Sequence, residues 1–324
     1  MITRAALFVG VGIAFAHSPI AQASNYPTKP VRMIVGFTPG GGADIMARVV
    51  AERSSEALGV PVVIDNRPGA GSSTAMGLAA QATPDGYTLL FATTGLTINP
   101  ALYKHVPYDP INDFAPISQV ALSPFVLVVQ ESMPARTVQE LIAIAKAKPG
   151  ALSYSSGGNG STGHLSGELF KSMAGIDMQH IPYKGLAPAL NDLLGGRVEM
   201  TMSSLPSCLG YLKARRLRAL AITTAKRMPF APDIPTMSES GLRGYDVEQW
   251  YGVLAPAGTP RQVVYKVHEA FKRTLKPDDA ILAEKFAGLG AGNVLTNPVE
   301  FSEFIRKNLA LWNRVVKISG AKVE

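Results

Sequence analysis

Cysteine is nearly absent from this chain of 324 residues, in which Cys208 stands alone. A single cysteine forms no disulfide within the chain, so the fold is not of the small, disulfide-stapled kind. The default role of such a residue is that of a small buried apolar side chain. Ordinary hydrophobic packing must therefore hold the fold, and the length leaves room for two domains.

Long apolar runs are missing too, except at the amino terminus. Residues 5–16 are apolar, Arg4 precedes them and Ala21-Gln22-Ala23 follows. These are the three parts of a secretory signal peptide, and the run is too short for a membrane anchor, which needs about 20 apolar residues. We expect residues 1–23 to be a signal peptide that is cleaved after Ala23 during export.

A strong charge of one sign is also absent. The chain carries 31 Lys and Arg residues against 24 Asp and Glu, a formal net charge of +7. Nucleic-acid binding requires basic residues concentrated on one face, but here they are scattered and the densest cluster, residues 213–218, is short. We expect no nucleic-acid partner and a weak preference for acidic ligands.

Metal and nucleotide motifs are missing as well. His105, His180 and His268 stand far apart, and none has a His, Cys or carboxylate at ligand spacing. Neither glycine-rich loop fits GxxxxGK[ST], and Gly40-Gly41-Gly42 lacks the GxGxxG spacing of a dinucleotide site, although a phosphate ligand stays open. We expect no metal site and no cofactor.

The chain does contain strands that alternate with helical patterns. An apolar run at residues 31–35 leads through a glycine turn into a helical stretch, and similar units start near residues 61 and 152. This alternation predicts an α/β fold with mainly parallel sheets, flanked by helices. The two glycine-rich loops predict two lobes that face each other across a cleft. A further helix is predicted to start at Asn99-Pro100, with Asn as its cap.

The triplet Gly40-Gly41-Gly42 offers the first candidate binding site. Glycines allow a positive φ and a close approach of the backbone to a ligand, and the following helix directs free amides at the same gap. Such a place suits an anion.

The loop at residues 155–163 is the second candidate. It offers backbone amides, short hydroxyls and one carboxamide but no charged side chain. Facing the first loop, it would hold a second carboxylate or a polar tail. A flexible surface loop is the alternative.

A hydrolase would use Ser161 or Ser166 with His164 as base. There is no GxSxG motif, and a histidine near a helix start more often packs or caps. We therefore expect no catalytic residue. Glu248, Trp250 and Tyr251 are open to two interpretations, as a cleft wall or as a packed strand end.

Six motifs, in order along the chain, carry a family resemblance. They are Tyr26-Pro-Thr-Lys-Pro-Val-Arg-Met-Ile-Val35, Phe37-Thr-Pro-Gly-Gly-Gly-Ala-Asp44, Asn66-Arg-Pro-Gly-Ala-Gly71, Ser155-Ser-Gly-Gly-Asn-Gly-Ser-Thr-Gly-His164, Ile181-Pro-Tyr-Lys-Gly185 and Trp250-Tyr-Gly-Val-Leu-Ala-Pro-Ala-Gly-Thr-Pro260. Together they resemble the Bug family, the extracytoplasmic solute receptors of tripartite tricarboxylate transporters. The resemblance covers essentially the whole chain after the signal peptide.

The resemblance implies a periplasmic, monomeric, two-lobe binding protein of the type II kind, which closes on a ligand. It further implies a first lobe at residues 24–124 and 224–324 and a second lobe at residues 125–223. One carboxylate would bind the first loop and the Thr93-Thr94 turn, and the second loop and Ser203-Ser204 would hold the other end. The candidate ligand-binding residues are Phe37, Thr38, Pro39, Gly40, Gly41, Gly42, Asp44, Thr93, Thr94, Gly158, Asn159, Gly160, Ser161, Thr162, Ser203 and Ser204.

The expected ligand is a small carboxylate, whether a di- or tricarboxylate, an amino acid or an aromatic acid. By the same resemblance the partner is the membrane permease of such a transporter. A ligand sensor that signals to a partner protein has the same features, so that alternative stays open.

Overall fold

The computed structural model describes residues 25–319, and the predicted signal peptide lies outside the described residues. The first part of the chain alternates strands with helices, because apolar runs are followed by glycine turns and helical patterns. Parallel pairing joins β1 to both of its neighbours, β2 and β3. The elements are β1 (Val31–Val35), α1 (Gly42–Leu58), β2 (Val62–Asn66), α2 (Ser73–Ala80), β3 (Thr88–Thr93), α3 (Gly95–Leu102) and β4 (Phe114–Gln130).

The middle of the chain repeats the plan, and β5 pairs in parallel with β6 and β7. Its elements are α4 (Val138–Ala147), β5 (Ser153–Ser156), α5 (Thr162–Ala174), β6 (Gln179–Pro182), α6 (Leu186–Leu194), β7 (Met200–Ser204), α7 (Leu205–Lys213) and β8 (Leu217–Ile222). The last part is mainly helical and consists of β9 (Glu248–Pro256), α8 (Arg261–Thr274), α9 (Ala280–Gly288), β10 (Gly292–Asn293) and α10 (Pro298–Ser319).

The long strand β4 joins the two parallel groups. The strand order is β2-β1-β3-β9-β4-β7-β5-β6, with β8 and β10 also paired to β4. Residues 114–124 of β4 pair with β9, and residues 125–130 pair with β7 and β8, all antiparallel. We call β1–β3, β9, β10 and residues 114–124 the first lobe, and β5–β8 with residues 125–130 the second lobe. The structure confirms the predicted α/β fold and adds the antiparallel crossing strands.

The helix α10 packs on both lobes. Its Phe301 and Ile305 are buried in a core of the first lobe, whereas its Trp312 is buried in the core of the second. The two lobes therefore share one helix besides the crossing strand β4.

The segment between β8 and β9 packs on the second lobe. Met237, Leu242 and Tyr245 belong to the same core as Tyr154, and the Tyr245 hydroxyl donates to the Ser166 carbonyl at 2.6 Å. The return to the first lobe at residue 224 was an expectation from the resemblance. From this packing, we propose that the chain returns to the first lobe only at β9.

The predicted start of α3 at Asn99 is wrong, because α3 begins at Gly95 and Pro100 lies inside it. Proline has no N–H, so the Leu96 carbonyl lacks its intrahelical donor. The Tyr108 hydroxyl lies 3.3 Å from that carbonyl and donates in its place. This tertiary contact makes an internal proline tolerable.

Within residues 25–319, no helix is long and apolar enough to cross a membrane. No group of three or more His, Cys, Asp or Glu side chains in that range is placed to hold a metal ion.

Candidate functional site

The inner pocket lies between the two lobes. The loops that follow β1, β3, β5 and β7 meet there, since parallel strands bring their carboxyl ends to one edge. The lining residues are Phe37, Gly41, Gly42, Ala43, Thr93, Phe125, Gly157, Ser161, Thr162, Leu186, Ser204, Gln249 and Tyr251.

The inner pocket contains the amino termini of α1, α5 and α7. Gly42 starts α1, Thr162 starts α5, and Ser204 is the residue before α7. The first amides of a helix have no intrahelical acceptor, and the aligned peptide dipoles add a partial positive charge there. No residue of the lining carries a charged side chain. The pocket therefore attracts an anion through backbone dipoles alone.

One buried hydroxyl supports this interpretation. The Oγ1 atom of Thr162 is buried and has no hydrogen-bond partner among the described residues. An unpaired buried hydroxyl costs roughly 1–3 kcal/mol, which a ligand oxygen would offset. Thr162 is one of the lining residues, so this unpaired hydroxyl lies beside the pocket.

Apolar side chains form the walls between these polar ends. Phe37 and Leu186 lie in the lining together with Phe125 and Tyr251. Burial raises the pKa of the Tyr251 phenol to about 12, so it is a neutral hydroxyl. Its oxygen lies 3.1 Å from Ser123 Oγ, which fixes the ring. The pocket is built for a compact ligand with a polar end and an apolar body.

A hydrogen bond between the lobes closes one side of the pocket. The Gly42 N–H donates to Ser207 Oγ at 2.6 Å, and Ser207 Oγ lies 2.9 Å from Ser204 Oγ. A Cβ atom added at Gly42 would lie only 2.3 Å from Ser204 Oγ. A larger residue at position 42 would therefore have to displace the Ser204 hydroxyl.

An outer groove adjoins the inner pocket, since Phe37 and Gly157 line both. Lys184 is the charged residue of its lining, and among residues 25–319 no carboxylate pairs with it. The lining residues are Gly36, Phe37, Gly69, Ala70, Gly71, Ser72, Tyr103, Gly157, Gly158, Asn159, Pro182, Tyr183 and Lys184.

The lobes also touch across the outer groove. The Tyr103 hydroxyl of the first lobe donates to the Asn159 carbonyl of the second at 2.9 Å. Gly71 has φ 57° and lies so close that an added Cβ would be 2.2 Å from the same carbonyl. The two lobes are therefore in direct contact across this groove as well.

Comparisons with known proteins agree with this geometry. Residues 46–321 match the family described as tripartite tricarboxylate transporter family receptor. The chain belongs to this receptor family.

Solved structures of relatives have the same fold. The R. palustris protein Rpa4515 with adipate is 37% identical, with a TM-score of 0.88 over 92% of this chain and 100% of that one. The periplasmic binding protein BugD is 34% identical, with a TM-score of 0.87 over 92% and 100%. MatC from Rhodopseudomonas palustris with bound malate is 29% identical, with a TM-score of 0.84 over 90% and 100%. The receptor thus has the fold of periplasmic binding proteins.

The structure brings together part of the predicted ligand-binding set. The inner pocket of the receptor contains Phe37, Gly41, Gly42, Thr93, Ser161, Thr162 and Ser204. The outer groove contains Gly158 and Asn159, with Phe37 shared. Neither lining includes Thr38, Pro39, Gly40, Asp44, Thr94, Gly160 or Ser203.

Asp44 stays out of the pocket because it holds the preceding loop. Its carboxylate pairs with Arg48 at 2.9 Å, and it accepts bonds from the Gly40 N–H and the Asn66 side chain, both at 3.0 Å. Burial opposes ionisation, but the bonds from Arg48, Gly40 and Asn66 hold the pKa of this carboxyl below its ordinary value. Asp44 is thus an anchor for the first glycine loop, which we define as residues 36–41.

Thr94 and Ser203 are similarly engaged elsewhere. The Thr94 hydroxyl accepts from the Trp250 N–H at 3.1 Å, and the Ser203 hydroxyl donates to the Ser204 carbonyl at 3.1 Å. Both hydroxyls therefore tie strand ends together beside the pocket.

Sequence reasoning missed several pocket residues. Ala43 and Gly157 lie inside the motifs that carry the resemblance, so those motifs were a usable signal. For Tyr251 the sequence allowed two interpretations, a cleft wall or a packed strand end, and the structure places it in the pocket wall. Phe125, Leu186 and Gln249 have no such signal, because apolar or neutral residues next to strands look like core.

The serine and histidine of the rejected hydrolase do not form a catalytic pair. Ser161 Oγ accepts from the backbone N–H of His164 at 3.2 Å, as a helix cap, while the imidazole Nδ1 accepts from the Gly160 N–H. The family consists of non-catalytic transport receptors, and membership in it confirms the expectation that this protein is not an enzyme.

Proposed function

We propose that the receptor captures a small carboxylate in the inner pocket and delivers it to the permease of a tripartite tricarboxylate transporter. The observation that carries this proposal is the convergence of the α1, α5 and α7 amino termini on a pocket without charged side chains. Helix amino termini bind carboxylates through free amides and the helix dipole. Relatives with bound adipate and malate support the ligand class.

In this proposal one carboxylate contacts the first turns of α1 and α5, including the Thr162 hydroxyl. The Ala43 amide is in the first turn of α1 and lies in the lining. The carbon chain packs between Phe37 and Phe125, where burial of apolar surface adds about 25 cal/mol per Å². The specificity of the pocket then depends on the length and the shape of the ligand's carbon chain.

The outer groove is proposed to take a second polar end. The unpaired ammonium of Lys184 lies there, and Gly158 and Asn159 also line the groove. A dicarboxylate long enough to pass Phe37 would gain a charge-assisted contact that a monocarboxylate lacks. We therefore expect extended dicarboxylates to bind more tightly than monocarboxylates of equal length.

A thermal-shift screen tests the ligand class. The panel contains succinate, adipate, glutamate and benzoate, each beside the amide that lacks its carboxylates, with protein refolded to remove any bound ligand. A ligand at 100 times its dissociation constant adds about 2.7 kcal/mol of stability. We expect at least one acid to raise the melting temperature while its amide does not. Equal shifts for acids and amides, or no shift with any acid, would overturn the proposal.

A further inference from the structure

Two stacked imidazoles lie directly beneath the second glycine loop, which we define as residues 157–161. The ring centroids of His164 and His180 are 4.3 Å apart, at an interplanar angle of 19°. Tyr154 covers the other face of His180 at 4.7 Å. His164, in the first turn of α5, is 3% exposed. The three rings form a stack inside the second lobe.

Each imidazole holds one amide of the loop. The Gly160 N–H donates to His164 Nδ1 at 3.3 Å. His180 Nε2 lies 2.7 Å from Ser156 Oγ, and the same Oγ accepts from the Gly158 N–H at 3.1 Å. The histidines therefore fix two of the loop's glycines, one directly and one through a serine.

These contacts require a neutral His164. A ring nitrogen accepts a hydrogen bond only when it carries no proton, so the proton of His164 must be on Nε2. Burial lowers the pKa of His164 to about 4, and the smaller effects of Glu168 and Lys171 oppose each other. Burial also lowers the pKa of His180 to about 3, with His164 and Lys171 adding to the effect.

The charged groups around the pair are already paired. Glu168 and Lys171 of α5 lie 3.0 Å apart, and the Tyr154 hydroxyl of β5 donates to the Glu168 carboxylate at 2.7 Å. That carboxylate is thus engaged by an ammonium and a phenol.

The second glycine loop connects the two histidines to the proposed ligand site. Its last residue, Ser161, lines the inner pocket beside Thr162, and the Ser161 N–H donates to the Gly158 carbonyl at 3.1 Å. A shift of Gly158 or Gly160 therefore moves the start of α5, where the ligand contacts are proposed.

We propose that His164 and His180 are positioning residues of the ligand site, which in their neutral forms hold the second glycine loop in its binding shape. Protonation of His164 turns its acceptor nitrogen into a donor facing the Gly160 N–H and releases the loop. This inference rests on the proposed function for its effect on binding, but the loop contacts themselves are independent of any ligand.

The test uses two variants of one histidine. His164→Asn keeps an acceptor near the Nδ1 position but does not titrate, whereas His164→Phe keeps a stacking ring without an acceptor. His105→Asn, at an exposed position, is the control. Circular dichroism checks that each variant folds, and NMR measures exchange protection of the Gly158 and Gly160 amides.

At pH 7 we expect the Gly160 amide to lose protection at least tenfold in His164→Phe and to keep it in His164→Asn. Between pH 7 and pH 4.5 the wild type should lose protection at least tenfold, whereas His164→Asn should not. If His164→Phe fails to fold, the ¹⁵N shift of His164 in the wild type decides. An Nδ1 that carries a proton at pH 7, or equal protection in all proteins, would overturn the proposal.

Binding is measured separately, with the acid that gives the largest thermal shift. The affinity of the wild type should fall at least tenfold more than that of His164→Asn between pH 7 and pH 4.5. Comparing the two proteins removes the effect of protonating the ligand itself. If no acid binds, the proposed function fails while the NMR result still decides this inference.

Discussion

The two glycine loops have the same plan but are held by opposite electrostatics. In the first loop a carboxylate, Asp44, takes the Gly40 amide and pairs with Arg48. In the second loop the neutral imidazole of His164 takes the Gly160 amide, and Ser156, bonded to His180, takes the Gly158 amide. The Arg48 side chain is 55% exposed, so water solvates that ion pair, whereas His164 lies in the interior. A charged side chain is stable only where water solvates it or a group of opposite charge pairs with it.

The largest expected effect is on the charged anchor. Asp44→Ala should lower the free energy of unfolding by about 2–3 kcal/mol, because the four hydrogen bonds that Gly40, Arg48 and Asn66 donate to this carboxylate are lost. Urea denaturation measures the change. Asp65→Ala is the control, since its bonds to Arg32 and Arg67 are at the surface and are worth at most about 1 kcal/mol. Equal losses for both variants would show that Asp44 is no anchor.

The contact between the lobes is the next target. Gly42→Ala places a Cβ against Ser204 Oγ, so closure must distort the hydroxyl cluster at a cost of about 1–3 kcal/mol. Ligand affinity should fall roughly five- to hundredfold, measured by calorimetry. The unliganded protein should not be less stable, because alanine favours a helix over glycine.

Gly210→Ala is the matched control for that variant. Gly210 lies in α7, and an added Cβ would meet nothing within 4 Å. Its affinity should equal that of the wild type, and a similar loss in both variants would contradict the closure contact.

As the pH falls, the second glycine loop should lose its stabilising contacts at a higher pH than the first. The pKa of His164 is lowered in the folded state, so the unfolded chain binds more protons, and stability is lost as pH falls below about 6.5. Asp44 also has a lowered pKa, but as an acid it loses its contribution only below about 3.9.

The measurement is the stability of the wild type minus that of His164→Asn. It should shrink by about 1.4 kcal/mol per pH unit between pH 6 and pH 4.5. Burial raises the pKa of Glu248 to about 7, which acts in the opposite sense over this range but cancels in the difference. A difference independent of pH would contradict the neutral histidine pair.

The smallest effect is expected in the outer groove. Lys184→Gln should weaken the binding of adipate three- to tenfold, since an exposed charge-assisted contact is worth about 1 kcal/mol. Binding of hexanoate should not change. Lys146→Gln, on the exposed face of α4, is the control, and an equal loss for both acids would remove Lys184 from the site.

Much of the fold was predictable from local signals. Apolar runs followed by glycine turns predicted β1 and α1. The start of α3 was not predictable, because the donor that rescues Pro100 comes from Tyr108 through tertiary packing.

The candidate site was predictable only in its backbone. Glycine loops ahead of helices identify amides, and Gly42 and Thr162 do line the pocket. Whether a polar side chain faces the pocket depends on the groups that it contacts in the folded protein. No signal in the sequence predicts the contact of Asp44 with Asn66 or of His164 with His180. Those pairs form only when separate strand-loop-helix units pack side by side.

A crystal structure of the receptor with the best acid from the screen tests the central claim most directly. The account predicts a carboxylate within hydrogen-bonding distance of the first amides of α1 or α5, with one oxygen near Thr162 Oγ1. A carboxylate that binds to Lys184 alone, or outside the inner pocket, would contradict it.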